Sequence, residues 1–160
     1  MSEQTPPEDL TPEALPPEPT APQPLIDQPV LRQVTKLLIP FVIVFGLYVI
    51  THGDYGPGGG FQGGVILAAA YIVYALVYGL KEARRVVPRW ASDTLAAIGV
   101  LFYAGVGLVS MFGGGTFLNY DFLAKDPASG QPLGMFLVEL GVGLTVASVM
   151  VTVFTEMVED

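Results

Sequence analysis

Residues 61–80 read FQGGVILAAAYIVYALVYGL, without a single charged side chain. At 1.5 Å of rise per residue, an apolar helix of about 20 residues crosses a hydrocarbon core of about 30 Å. A soluble core has no need of an apolar block that long. In lipid an open strand would leave its backbone N–H and C=O groups unpaired, so a helix is the form such a segment takes. The stretch predicts a transmembrane helix.

Three further stretches read the same way: residues 31–50 around Pro40, residues 94–112 and residues 133–154. The expected fold is an all-α membrane protein of four transmembrane helices spanning residues 31–157. Composition agrees: 51% of the 160 residues are hydrophobic and only 14% are charged, against about a quarter charged in soluble domains. Pro57 and the glycines after it mark the start of the second span, and Pro88 marks a break before the third. Ser92 or Asp93 is expected to cap the third span at its N-terminus. Gly113, Gly114 and Gly115 end it, and an outer loop is expected from Thr116 to Pro132.

The net charge of −8 is concentrated in a tail. Glu3, Glu8, Asp9, Glu13, Glu18 and Asp27 all precede the first basic residue, Arg32. Residues 1–30 are rich in Pro and Glu and lack the positive and apolar regions of a signal peptide. They are expected to form a disordered, acidic, proline-rich tail, because such a composition buries too little apolar surface to offset its ordering entropy. Nucleic acid is excluded as a partner, since it requires basic patches. There is no cysteine, hence no thiolate metal site or thiol nucleophile. Lys and Arg residues flank the first span (Arg32, Lys36) and fill the connection between the second and third (Lys81, Arg84, Arg85, Arg89). The connection from Thr51 to Gly60 has none. The positive-inside rule then puts both termini in the cytoplasm.

The densest motif is His52-Gly53-Asp54-Tyr55-Gly56-Pro57-Gly58-Gly59-Gly60-Phe61-Gln62-Gly63-Gly64. Gly58, Gly60 and Gly63 match G-x-G-x-x-G formally, but a dinucleotide site needs a preceding strand, and here the flanks are membrane spans. Packing is the better account. Gly60, Gly64 and Ala68 recur every four residues and line one helix face, and Gly59 and Gly63 form a second pair. Faces of this kind let two helix backbones approach closely. The alternative is an irregular backbone lining a polar cavity. His52 is the only histidine, suited either to proton relay or to simple wetting at the end of the first span. Asp54 lies beside it. Glu139 falls inside the fourth span, where an ionisable group is costly and faces protein or water. It reads equally as a carboxylate that exchanges protons or cations and as a boundary residue reaching interfacial water. No metal site and no enzyme signature is present in the sequence.

The run Pro57-Gly58-Gly59-Gly60-Phe61-Gln62-Gly63-Gly64-Val65-Ile66-Leu67-Ala68-Ala69-Ala70 resembles the signature of the MnhB/MrpB family, small membrane components of the multi-subunit Mrp/Mnh-type sodium/proton antiporters. His52 upstream and Glu139-Leu140-Gly141-Val142 in the last span fit the same pattern, and the likeness extends from about Arg32 to Met157. The resemblance implies a small, cofactor-free component of a bacterial cytoplasmic-membrane complex that exchanges Na+ for H+ at the expense of the proton-motive force. It implies partnership with large subunits akin to the antiporter-like subunits of complex I and with other small membrane subunits. The family pattern marks Pro57, Gly58, Gly59, Gly60, Phe61, Gly63 and Gly64, with His52 and Glu139 as ionisable candidates. A related subunit occurs in energy-converting membrane-bound hydrogenases, and a purely structural scaffold is the third alternative.

Overall fold

The computed structural model describes residues 28–53, 58–118, 120 and 127–159. Residues 1–27, Asp54 and Pro57 lie outside these, and with them most of the expected tail. Among the described residues there are five α-helices and no strand: α1 (Pro29–Thr51), α2 (Gly60–Tyr78), α3 (Leu80–Val86), α4 (Arg89–Phe112) and α5 (Pro127–Glu159). Four are long and apolar enough to cross a membrane, namely α1, α2, α4 and the Gly130–Glu159 part of α5. Their outer faces carry exposed Leu37, Phe41, Val44, Leu76, Leu101 and Val153, as lipid-facing helices do.

The helices do not pack in chain order. α5 lies between α2 and α4, and α1 packs on the other side of α2. Each seam is built on glycine. Between α1 and α2, a Cβ on Gly63 would stand 2.7 Å from the Gly46 carbonyl oxygen. Between α2 and α5, one on Gly64 would stand 2.6 Å from the Gly143 carbonyl oxygen and 3.2 Å from the Ala147 nitrogen. Between α5 and α4, one on Gly99 would stand 2.7 Å from the Gly141 carbonyl oxygen. These are backbone-to-backbone contacts, and in lipid, where there is no hydrophobic drive between helices, such close approach supplies the association energy. Gly60, Gly64 and Ala68 are all buried. The face that they form on α2 meets α5, and Gly63 on the adjacent face meets α1.

Several boundaries differ from expectation, each for a local reason. α2 stops at Tyr78 rather than at residue 80, because Gly79 takes φ 91°, a left-handed conformation that glycine adopts without a Cβ clash. The chain then makes the short helix α3, which the pattern did not suggest. α4 starts at Arg89 rather than at Thr94, and neither Ser92 nor Asp93 caps it. Pro88 holds the cap position in an extended conformation, so Ser92 lies one turn inside the helix. It is buried against α5, where its hydroxyl donates to the Ser148 carbonyl at 3.2 Å and pairs with the Thr152 hydroxyl. α5 begins at Pro127, within the segment expected as loop. Proline suits a first helical position, since the N–H it lacks has no partner there, and Pro132 is accommodated in the early turns.

The two ends of the bundle differ in chemistry. One end gathers the start of α1, the end of α2, α3, the start of α4 and the end of α5. There the Tyr78 hydroxyl donates to the Arg32 carbonyl at 2.8 Å, and Arg84 pairs with Glu159 and Arg89 with Glu156. The opposite end carries the glycine-rich turn and Glu139.

Candidate functional site

α1 closes at Thr51, and His52 caps it with a backbone N–H bonded to the Tyr48 carbonyl at 3.0 Å. The chain returns into the bundle at Gly60, where α2 begins. α5 runs directly against this turn and presents Glu139 to it. A Cβ on Gly53 would clash with the Glu139 carboxyl group, and one on Gly59 would lie 3.0 Å from Glu139 Oε1. At Gly60 the obstacle is the Glu139 backbone, whose carbonyl carbon is 2.9 Å from the position of a Cβ. Three glycines from two sides of the turn therefore converge on one acid, which is half-buried. The absence of side chains at Gly53 and Gly59 makes room for the carboxylate between the end of α1 and the start of α2, and the absence of one at Gly60 lets α2 lie against the α5 backbone.

The structure thus joins two features that are far apart in sequence, the glycine motif and the acid of the last span. It treats the other candidates differently. His52 is exposed, its ring stacks on Tyr48 with centroids 4.4 Å apart, and its Nδ1 is 3.3 Å from the Thr51 hydroxyl oxygen. Phe61 is exposed on the outside of α2. Gly58 takes φ 150° beside Val49. Gly63 and Gly64 belong to the helix seams rather than to the acid. Asp54 and Pro57 lie outside the described residues. Sequence reasoning missed Gly53, because one glycine in a turn has no periodicity to mark it. Among the described residues no group of three or more His, Cys, Asp or Glu side chains could hold a metal ion.

Fold and site together define a small polytopic membrane protein in which the acid of the last long helix lies against glycines at the end of α1 and the start of α2. Residues 30–152 match the family described as the domain related to the MnhB subunit of Na+/H+ antiporter, and the chain belongs to that family. Proteins of Staphylococcus aureus strains Newman and JH1, each provisionally named antiporter subunit mnhB2, are 36% identical to it over 126 residues, covering 77% of this chain and 89% of the relative.

Proposed function

We propose that this chain is the MnhB-type component of a multi-subunit Na+/H+ antiporter in the bacterial cytoplasmic membrane, required for assembly and for proton-motive-force-driven Na+ extrusion. Family membership supports the antiporter setting. The observation that carries the site is the Glu139 carboxylate seated on Gly53 and Gly59, with Gly60 against the backbone of the same residue. In this reading Glu139 takes up and releases a proton or exchanges a cation, and the turn between α1 and α2 responds to its charge. The chain's partners are the large complex I-like subunits, which supply the rest of the ion path, and the other small membrane subunits. The end with Arg32, Lys36, Lys81, Arg84, Arg85 and Arg89 faces the cytoplasm, and the glycine turn faces outward.

The test is Glu139→Gln in the assembled complex, with Na+-dependent proton movement measured in everted vesicles. The substitution keeps the shape and removes the charge. The expected outcome is normal assembly with activity reduced by about a hundredfold or more, a loss on the scale of a positioned proton-transfer group, and partial recovery in Glu139→Asp. Full activity in a normally assembled complex would remove Glu139 from transport. The glycine seams would then support a structural role for the protein. Recovery of the chain with iron–sulfur partners would place it in a redox pump.

A further inference from the structure

A groove of about 500 Å³ opens between α1 and α2 at the basic end, lined among others by Arg32, Gln33 and Lys36 from α1, Tyr74 and Tyr78 from α2, and Pro40 at its deeper end. We infer that this groove binds an anionic phospholipid, with the phosphate held by Arg32 and Lys36 and an acyl chain lying along the outer face of α1. The inference concerns this end of the bundle and is independent of the transport reading at Glu139.

Three observations support it. The first is charge. Arg84, Arg85 and Arg89 are already matched by Glu159, Glu82 and Glu156. Arg32 and Lys36 pair with no carboxylate among the described residues, and both are exposed. They are four apart on a helix, so their side chains emerge on one face.

The second is how the groove is built. The Arg32 guanidinium lies over the Tyr78 ring, 5.2 Å from its centroid, while the Tyr78 hydroxyl bonds the Arg32 backbone carbonyl. Tyr74 stacks on Tyr78 with centroids 4.7 Å apart. The cation is thus held from below by Tyr78, itself stacked on Tyr74, and keeps donors to spare for a phosphate, to which a guanidinium can bond in bidentate fashion. Pro40 has no N–H to give the Lys36 carbonyl, which leaves an acceptor on α1 for a headgroup hydroxyl or ammonium.

The third is the polarity gradient. Below the basic rim the lining turns apolar at Ile39 and Pro40, and exposed Ile43 and Leu47, in helical register with Lys36 and Pro40, continue that face down α1. A charged head above an apolar track matches a phospholipid, and basic pockets between spans are known lipid headgroup sites.

The test is native mass spectrometry of the full-length chain in mild detergent, titrated with dioleoylphosphatidylglycerol or dioleoylphosphatidylcholine. The anionic lipid is expected to bind about tenfold more tightly, as two juxtamembrane cations warrant. The R32Q/K36Q double variant should lose that preference. The R32K/K36R variant should keep it, and so should K81Q/R85Q, which removes equal charge from the same end. Circular dichroism matching wild type ensures that the variants are folded. Retention of the preference in R32Q/K36Q, or equal loss in K81Q/R85Q, would overturn the site. Displacement of the lipid by inorganic phosphate would reassign it to a free anion.

Discussion

The two ends of the bundle are held by opposite means. Around Glu139 the helices meet through missing side chains: Gly53, Gly59, Gly60 and, one turn further, Gly64 and Gly143 let main chain lie against main chain or against one carboxylate. At the other end they meet through long side chains, with Arg84 and Arg89 reaching Glu159 and Glu156 and Tyr78 reaching Arg32. Close backbone packing has no slack, because a methyl group has nowhere to go and the obstacle is the backbone itself. Ion pairs between partly exposed long side chains have more slack, since each partner can rotate away. Stability is therefore expected to be concentrated at the glycine end and charge recognition at the basic end.

The strongest attack on this contrast is Gly64→Leu. Even a Cβ there would lie 2.6 Å from the Gly143 carbonyl oxygen and 3.0 Å from the Val146 Cβ, so α2 and α5 must separate. Overpacking of this kind costs about 1–3 kcal/mol when side chains can yield, and more when backbone is in the way. The expected outcome is loss of the assembled complex on size-exclusion chromatography in mild detergent. Gly105→Ala is the matched control: nothing lies within 4 Å of its Cβ position, and helix propensity favours alanine by roughly 0.5–1 kcal/mol. A Gly64→Leu complex that assembles and pumps would break the comparison at its base.

Gly53→Ala probes the same end more gently. The added methyl meets the far end of the Glu139 side chain rather than the backbone, so the carboxylate can swing aside while the helices stay put. Assembly is expected to survive, with Na+-dependent proton movement in everted vesicles reduced about tenfold to a hundredfold, since misplacing a reacting group by about an ångström costs up to about a hundredfold. Loss of assembly instead would make Gly53 part of the seam. Unchanged activity would mean that the seat of the carboxylate has no bearing on transport.

What could be read in advance follows the range of each interaction. The four spans were legible because crossing lipid imposes length and composition on one continuous stretch, and 61–80 needed no partner to be recognised. The face of Gly60, Gly64 and Ala68 was legible because helical spacing is also local. That α5 inserts between α2 and α4 was not legible, since chain order does not fix neighbours in a bundle. For the same reason Glu139 could be singled out as costly, but not placed on Gly53. Ser92 was misjudged as a cap because a small polar residue beside a proline looks like one locally. Its real partners, Ser148 and Thr152, are on another helix. The short helix α3 depends on Gly79 adopting a positive φ, which glycine permits but does not announce.

The smallest effect is expected at the basic end, from Arg89→Gln. Arg89 pairs with Glu156 and reaches towards Glu159 at 4.0 Å, yet its side chain is 57% exposed and that of Glu156 44%. Pairs this open contribute about 0.2–1 kcal/mol, because solvent already screens the charges and two long side chains must be ordered. Thermal unfolding of the purified chain in detergent should therefore shift only slightly. The shift should also shrink in high salt, where the Debye length falls to about 3 Å at 1 M. A large shift that persists in salt would mean that Arg89, Glu156 and Glu159 act as one buried network, and the basic end would then be as rigid a clamp as the glycine end.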